Sequence, residues 1–375
     1  MVVDYWRVRK QNVDGVWSNW SSSWSFTVNI DLSFTSYNIT TTFDRVIQTN
    51  AIDLDLDGDI DILGAAFLSD KISWWENDGY EGFSEHIVDS NFDGAYSVFG
   101  IDIGNDNDID ILGAASTAND IVWWENTGNE NFTKHFIDQS FAGAFSVIAS
   151  DLDSDGFIDI LAAGNDAQEI AWWKNDGSNV FTKYVIASGL SGASSVFATD
   201  INGDSYIDVI GTGTGADILS WWENNGDEVF VEHIITSNYD GARSVYVIDI
   251  DGDSDIDILS GAVVTAGFSW WENDGNGNFT EHLIDSDYHY TYSVFAIDMD
   301  SDGDIDVMAA DYALDEIAWW GNDGNEVFTK HLISVPAFNG AYSIFAIDID
   351  SDGDNDILGA ATLENVIRWW ENSLY

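Results

Sequence analysis

The sequence predicts an all-β fold, a seven-bladed β-propeller with four strands in each blade. Three observations predict it: tryptophan pairs recur at a regular spacing, an aspartate-rich loop recurs in phase with them, and β-branched and aromatic runs alternate with Asn/Asp/Gly turns. The pairs begin at Trp74, Trp123, Trp172, Trp221, Trp270, Trp319 and Trp369, a spacing of 49 residues followed by one of 50. Seven four-stranded units of this length are typical of a propeller.

One copy illustrates the four strands of the unit. Its parts are a first strand at 293–298, an aspartate-rich loop at 298–306, a second strand at 306–310, a third strand at 316–322, a turn at 323–326 and a fourth strand at 327–333. Short runs rich in Val, Ile, Phe and Trp between turn residues favour strands and hairpins. No segment has a sustained 3.6-residue period, so helix is not expected.

The two ends of the chain together supply one blade. The seventh copy stops directly after its Trp pair and lacks a fourth strand, whereas Phe34–Ile39 matches that strand and lies 49 residues before Phe83–Val88. We therefore expect the N-terminal strand, at about 34–39, to complete the last blade. This pairing closes the ring and gives a propeller domain at 33–375 without open sheet edges at the ends.

Residues 1–30 lie outside the repeat and have no aspartate-rich loop. Tyr5, Trp6, Val8, the run 17–21 and the run 25–28 resemble the last two strands of a fibronectin type III domain. So short a segment cannot bury a core of its own. We interpret it as a partial hairpin of a truncated module, and the chain as part of a larger multidomain protein. The alternative is that this hairpin docks on the propeller.

Charge and composition exclude several functions. The chain of 375 residues has 67 acidic and 11 basic residues, a net charge of −56, and this surface repels phosphate backbones and anionic lipids. We therefore expect no nucleic-acid partner. No apolar run is long enough to span a bilayer, so membrane insertion is not expected either. The absence of Cys excludes thiolate chemistry, and the first residues lack the apolar core of a signal peptide.

The aspartate-rich loops have the spacing of a site for a hard cation. Numbered from 1 to 9, the best copies have Asp at positions 1, 3, 5 and 9 and Gly at position 6. Calcium takes six to eight oxygen ligands, and alternate residues of a tight loop can point inward together. We expect position 7 to offer only its carbonyl and position 9 to complete the ligand shell. The twelfth residue is Gly64 in the first copy rather than Glu, and the flanks are strands, so the loop is not an EF-hand.

The predicted Ca²⁺ ligands come from all seven loops. They are Asp53, Asp55, Asp57, Asp59 and Asp61; Asp102, Asp106 and Asp110; Asp151, Asp153, Asp155 and Asp159; Asp200, Asn202, Asp204 and Asp208; Asp249, Asp251, Asp253 and Asp257; Asp298, Asp300, Asp302 and Asp306; and Asp348, Asp350, Asp352 and Asp356. Loops one, three, six and seven are complete, and loop five differs only by Ser254 at the turn.

Loops two and four depart further from the pattern, with Gly104 at position 3 in one and Asn202 at position 3 in the other. We therefore expect four strong sites, a fifth in loop five, and two weak ones. The alternative is a solvated acidic face. That alternative accounts for the charge but not for the spacing or the glycines.

These loops, each followed by an Ile-Leu-Gly-Ala-type strand, resemble the FG-GAP (VCBS-type) repeat of integrin α-subunit propellers and many bacterial surface proteins. The resemblance spans residues 33–375. It implies that the loop joins the first two strands of each blade and binds calcium, and that ligands bind at the opposite end of the ring.

Two sets of aromatic residues recur on the strands. The tryptophan pairs are expected in the seams between blades, with an exposed platform for sugar rings as the alternative. His86, His135, His233, His282 and His331 share one repeat position with Tyr37 and Tyr184, which favours a structural role. No nucleophile or acid–base pair departs from the repetition, so we do not expect an enzyme.

A third set lies in the connections between blades: Phe43, Phe92, Phe141, Leu190, Tyr239, Tyr288 and Phe338. These residues either cap the seams or line shallow repeated pockets. Under the second interpretation Phe92, Phe141, Tyr239, Tyr288 and Phe338 are the candidate ligand-binding residues.

Taken together, these patterns predict a calcium-binding adhesion module, secreted or at the cell surface, that recognises an extracellular protein or polysaccharide. A multivalent carbohydrate-binding lectin is the first alternative. A polysaccharide lyase or hydrolase is the second.

Overall fold

The computed structural model describes residues 32–128, 130–264, 267–333 and 338–373. These residues form 28 strands in seven four-stranded sheets, so the predicted fold class is confirmed. This part of the chain contains no helix long and apolar enough to cross a membrane. The fibronectin-like interpretation of residues 1–30 lies outside the described residues.

The strands are named by their place in a blade. The first strands are β2 (Val46–Ile52), β6 (Ala95–Ile101), β10 (Ala144–Ser150), β14 (Ala193–Thr199), β18 (Ala242–Ile248), β22 (Thr291–Ile297) and β26 (Ala341–Ile347). The second strands are β3 (Asp61–Ala66), β7 (Asp110–Ala115), β11 (Asp159–Gly164), β15 (Asp208–Gly213), β19 (Asp257–Ala262), β23 (Asp306–Asp311) and β27 (Asp356–Ala361).

The third strands are β4 (Lys71–Asn77), β8 (Asp120–Asn126), β12 (Glu169–Asn175), β16 (Ile218–Asn224), β20 (Phe268–Asn273), β24 (Glu316–Asn322) and β28 (Val366–Ser373). The fourth strands are β5 (Phe83–Asp89), β9 (Phe132–Asp138), β13 (Phe181–Ser188), β17 (Phe230–Thr236), β21 (Phe279–Asp285) and β25 (Phe328–Leu332), with β1 (Ser33–Thr40) in the last blade. Blade 1 is β2–β5, and blade 7 is β26–β28 with β1.

The blades are arranged around a central axis. Each first strand contacts the first strand of the next blade, and β26 returns to β2, so these strands surround the axis. Every residue of the second strands is buried because both faces pack against neighbouring blades. The fourth strands form the outer edge.

The N-terminal strand closes the ring as the sequence predicts. Strand β1 pairs antiparallel with β28, with Tyr37 opposite Trp369 and Thr35 opposite Glu371. Blade 7 therefore combines the two ends of the chain, and no third strand is left as an edge among the described residues.

Each tryptophan pair is divided between two seams, because adjacent strand residues point to opposite faces. Trp74 packs in one apolar cluster with Trp124 of the next blade, and Trp75 packs in another with Trp369 of the preceding blade. The same division holds in all seven blades. All fourteen indoles are at most 5% exposed, so the seam prediction is confirmed and the exposed-platform alternative is wrong.

The repeated histidines cover the outer face of the first tryptophan of each pair. Five His rings stack on these indoles at centroid distances of 4.4 to 4.8 Å. In four blades the His Nε2 also lies 2.7–2.8 Å from a third-strand glutamate. Tyr37 and Tyr184 stack in the same way at 5.2 Å. The predicted structural role is confirmed.

Hydrogen bonds join the blades near the axis. The Ser97 Oγ accepts the Val147 N–H of the next blade at 3.2 Å, and Ser343 links blade 7 to the Thr49 N–H of blade 1 at 3.3 Å. Gln48 replaces serine in blade 1 and accepts the Val98 N–H at 3.1 Å. These bonds connect the side chain of one first strand to the backbone of the next, and they fix the register between blades.

Ring closure can be tested with a disulfide, because the chain has no Cys of its own. We expect Thr35→Cys/Glu371→Cys to oxidise readily, since these residues face each other across β1 and β28. The bond would stabilise the fold by about 2–4 kcal/mol. Non-reducing gel mobility and calorimetric melting, with and without reductant, measure the effect.

The matched control is Ser36→Cys/Glu371→Cys, which is one residue out of register and places the two sulfurs on opposite faces of the sheet. The predicted closure is contradicted if both double variants crosslink equally or if neither does.

Candidate functional site

The seven aspartate-rich loops adopt one backbone geometry. Each joins the first strand of a blade to the second, at the same end of the ring. The residue at position 6 has a positive φ of 72–101° whether it is glycine or not: Gly58, Asn107, Gly156, Ser205, Ser254, Gly303 and Gly353. Position 4 is also left-handed, for example Leu56 at 62°. The departures of loops two, four and five at the turn therefore do not change the path of the backbone.

Backbone amides hold the carboxylates of a loop in place. In loop one the Asp53 Oδ2 accepts the Gly58 N–H at 3.1 Å, and the Asp55 Oδ1 accepts the Asp57 N–H at 3.1 Å. The Asp53 Oδ1 is buried and makes no hydrogen bond within the described residues. A buried carboxylate oxygen without a donor carries a large desolvation cost, and a cation at this point would offset it.

Five loops bring carboxylate oxygens together. In each of them three side chains offer oxygens within 4.8 Å of one another: Asp53, Asp55 and Asp57; Asp151, Asp153 and Asp159; Asp249, Asp251 and Asp257; Asp298, Asp300 and Asp302; and Asp348, Asp350 and Asp356. These are the four loops that the sequence ranks as complete and the fifth loop. Among the described residues, loops two and four form no such group, because their third position lacks a carboxylate.

The aspartate at position 9 anchors the loop to the rest of its blade. Asp61 is fully buried, and its two oxygens accept the Leu54 N–H at 2.9 Å and the Asn77 N–H at 2.8 Å. Burial raises the pKa of the Asp61 carboxyl to about 7, although these hydrogen bonds lower it in part. The same residue is buried in all seven blades: Asp61, Asp110, Asp159, Asp208, Asp257, Asp306 and Asp356.

The last residue of the third strand connects the loop to the preceding blade. The Asn77 Nδ2 donates to the Ile60 carbonyl at 3.1 Å and to the Ile349 carbonyl of blade 7 at 3.2 Å. Its Oδ1 accepts the Gly79 N–H at 3.1 Å. Sequence reasoning gave this asparagine no role, although its recurrence after all seven Trp pairs was the available signal.

Position 7 lies outside the oxygen groups. A Cβ at Gly79 would lie 2.5 Å from the Asp59 Oδ2, so the Asp59 side chain covers the turn between the third and fourth strands. Phe157 and Tyr206 cover Gly177 and Gly226 in the same way. The Asp59 carboxylate is thus not grouped with those of Asp53, Asp55 and Asp57. This packing explains why carboxylate and aromatic residues alternate freely at position 7.

Lys174 distinguishes loop three from the others. Its ammonium contacts the Asp153 carboxylate, lies 4.0 Å from the Asp155 Oδ2, and lies 2.6 Å from the Glu228 Oε1. The equivalent third-strand residue in the other blades is Glu or Gly: Glu76, Glu125, Glu223, Glu272, Gly321 and Glu371. The ammonium of a third-strand lysine therefore lies among the carboxylates of loop three, and the spacing within the loop gives no sign of it.

The aromatic residues between blades are buried in the seams. Phe92, Phe141, Tyr239, Tyr288 and Phe338 are 0–2% exposed, and each meets the second tryptophan of a pair edge-on, with centroids 4.9–5.6 Å apart. Phe43 makes the same contact, and Leu190 is similarly buried in blade 4. The hypothesis that these rings line ligand pockets is wrong because no ring face is accessible. They cap the seams instead.

The ring is closed at the axis by residues that differ between blades. The second residues of the first strands are Ile47, Tyr96, Phe145, Ser194, Arg243, Tyr292 and Tyr342. Arg243 extends across the axis, where its Nη2 donates to the Tyr342 hydroxyl at 2.9 Å and to the Tyr96 hydroxyl. Sequence reasoning missed this residue, although Arg stands where other copies have mostly aromatic residues.

Comparison with known proteins gives the family and supports the fold. The FG-GAP-like repeat family matches residues 102–162, 151–211, 200–260 and 298–359. No curated protein matches the sequence.

Several solved structures share the architecture. A streptogramin B lyase has a TM-score of 0.66 at 14% identity, covering 91% of this chain and 98% of that one. A catalytically inactive virginiamycin B lyase from Staphylococcus aureus with quinupristin has 0.64 at 15% identity, covering 91% and 99%. The WD40 propeller domain of Doa1 has 0.63 at 12% identity, covering 91% and 97%. At these identities the likeness concerns the fold alone, whereas the repeat matches cover more than half of the chain, which therefore belongs to the FG-GAP-like repeat family.

Proposed function

We propose that this chain is a calcium-stabilised propeller that acts as an extracellular ligand-binding module, secreted or at the cell surface, for a protein or polysaccharide. The observation that carries the calcium part is the grouping of three carboxylate oxygens within 4.8 Å in five loops. Two unit charges about 4 Å apart repel by roughly 4 kcal/mol at an effective dielectric constant of 20. A bound cation turns this repulsion into attraction.

The donor set favours calcium over other metals. All grouped side chains are aspartates, and hard oxygen ligands select Ca²⁺, Mg²⁺ or Mn²⁺ rather than zinc or copper. Mg²⁺ requires near-octahedral geometry and retains water, whereas Ca²⁺ accepts an irregular shell of carboxylates and carbonyls. A nine-residue loop with two left-handed residues suits the more adaptable ion.

Calcium bound in these loops would act on the stability of the whole ring. The loop joins the two innermost strands, and its position-9 aspartate bonds to the third strand, which in turn bonds to the preceding blade. Any ligand that binds the folded loop and not the unfolded chain stabilises the fold by linkage. The ion therefore has a structural role, and recognition of the ligand falls to other surfaces.

Burial of the aromatic residues bears on the alternatives. A multivalent lectin would need repeated exposed rings for sugars, yet the tryptophan pairs and the aromatic residues between blades are buried. This favours adhesion or scaffolding over a lectin with one site per blade. The similarity to two lyases does not support an enzymatic function, because it concerns the fold alone.

Calcium removal is the first test. We expect excess EDTA to lower the melting temperature by at least several degrees and about 1 mM Ca²⁺ to restore it. Isothermal titration should show four strong sites, in loops one, five, six and seven. Calorimetric melting that is the same in EDTA and in calcium would contradict the proposal.

Two variants at the same repeat position serve as a matched pair. Asp302→Asn removes a carboxylate from the oxygen group of loop six and should reduce the number of strong sites by one. Asp106→Asn changes the equivalent residue of loop two, which forms no group, and should leave the titration unchanged. Equal losses in both variants would show that the groups do not define the sites.

Lys174 gives a prediction specific to loop three. Because its ammonium occupies the carboxylates of Asp153 and Asp155, calcium must compete with it, and we expect this site to be at least tenfold weaker than the others. Lys174→Glu restores the residue of most other blades and should add one strong site to the titration. Lys183→Glu, on the outer strand of the same blade, is the control that changes charge equally and should add none.

The ligand-binding part requires a screen. Labelled propeller applied in calcium to arrays of extracellular proteins and of glycans should bind at least one class of ligand, and EDTA should reduce the signal. Failure to bind either array contradicts the binding function. Release of unsaturated or reducing ends from an acidic polysaccharide would instead support an enzyme.

A further inference from the structure

Arg243 is a cation that pairs with no carboxylate of the described residues. It lies on β18 in blade 5, and its hydrogen bonds go to hydroxyls of Tyr96 in blade 2 and Tyr342 in blade 7. No carboxylate pairs with it among the described residues, although the chain has 67 acidic residues. By contrast, Lys174 is neutralised by three carboxylates. The described part of the chain therefore leaves the positive charge of the guanidinium without a neutralising anion.

The guanidinium also keeps unused donors. Both hydrogen bonds of Arg243 come from Nη2, while Nη1 and Nε make none within the described residues. Three of the five N–H groups of an arginine are on these two atoms. Aromatic rings hold the group in place: it lies 5.0 Å from the Phe145 centroid and 5.1 Å from that of Tyr292. A guanidinium that is held in place and has a free Nη1 can donate to one oxygen of a carboxylate.

Arg243 is among the residues that line a cavity. It has a volume of about 210 Å³, is partly open, and follows the axis between the first strands. Its lining combines Arg243 with serine hydroxyls, such as that of Ser146, and with rings that include Tyr246 and Phe295. An apolar wall with a few polar groups is typical of a small-molecule site. The volume is much larger than a lone carboxylate requires, so the ligand also carries an apolar or ring-shaped part.

The position in the fold reduces repulsion by the acidic loops. Arg243 is the second residue of β18, and the nearest loop of that blade begins six residues later at Asp249. Six residues of strand span about 20 Å. Because Coulomb repulsion falls in inverse proportion to distance, each of those carboxylates repels an anion at the Arg243 end about one fifth as strongly as it would at 4 Å.

We propose that the axial cavity binds a small molecule with a carboxylate on a six-membered ring. A carboxylate oxygen accepts a hydrogen bond from the Nη1 of Arg243, and the ring packs against aromatic side chains of the first strands. This inference deepens the ligand-binding part of the proposed function and does not depend on calcium binding. The ring is either aromatic or that of a sugar acid, and the carboxylate is the shared chemistry.

The test is a titration of the full chain, in calcium, with two matched pairs of probes. Benzoate and benzyl alcohol share an aromatic ring, and galacturonate and galactose share a sugar ring. We expect at least one carboxylate to bind at least tenfold more tightly than its neutral partner, by ligand-observed NMR and calorimetry. Benzoate alone would identify an aromatic acid, and galacturonate alone a sugar acid.

Variants locate the site. Arg243→Gln should weaken carboxylate binding at least tenfold, and Arg243→Lys, which keeps the charge but loses the planar guanidinium, should weaken it severalfold. Arg45→Gln is the control, because Arg45 also lies over an aromatic ring, Phe67, but does not line the cavity. Melting temperature in calcium verifies folding, and if Arg243→Gln does not fold, Arg243→Lys decides.

Three results would overturn the inference: no carboxylate binds at millimolar concentration, the neutral probes bind as tightly as the acids, or both Arg243 variants bind like the unmodified chain. None of these results affects the calcium titration or the array screen. Failure here and failure of the proposed function are thus separate observations.

Discussion

The structure depends on one buried ionisable group that recurs in every blade, the aspartate at the end of each loop. Burying a carboxylate is costly unless hydrogen-bond donors surround it. Asp61 accepts hydrogen bonds from backbone N–H groups of its own loop and of the third strand, which offset the desolvation of its carboxylate. Asn77 then continues the network into the preceding blade. The loop, the hairpin and the seam therefore form one cooperative unit, and a change of charge in the loop reaches the contact between blades.

Apolar burial supplies most of the energy of that contact. A buried indole removes about 150–250 Å² from water, worth about 4–6 kcal/mol at 25 cal/mol per Å², whereas a serine hydrogen bond contributes about 1 kcal/mol. Since Trp74 and Trp75 enter different clusters, no blade completes its core alone. The apolar seams thus hold the ring together, and the axial hydrogen bonds set the register between blades. Strand β1 is required because, without it, one face of the Trp369 ring would lose its packing against Tyr37.

The sequence predicts features that are encoded within one repeat. The period, the four strands and the five loops with grouped carboxylates follow from local spacing, because Asp53, Asp55 and Asp57 meet within a single turn of chain. Ring closure joins the two ends of the chain, and it could be predicted because the strand at 34–39 matches the fourth strand that the seventh copy lacks. Side-chain hydrogen bonds between distant copies were not predicted. The partner of Asn77 is 272 residues away, and the partner of Arg243 in blade 2 is 147 residues away. The aromatic residues between blades had two interpretations because a seam and a pocket both require a large residue at the same place.

A ring of seven similar units gains a unique site only where one unit differs. Lys174 and Arg243 are two such differences, each a basic residue where the other copies have none. The charge of Lys174 is neutralised within the fold by Asp153 and Glu228. It therefore modifies one loop and is not available to bind a partner. Within the described part of the chain, the guanidinium of Arg243 contacts hydroxyls and ring faces, at the point where all seven blades converge. Repeated carboxylates therefore suit a distributed structural ion, whereas selective recognition requires an unrepeated residue, and the axis is where such a residue contacts the most blades.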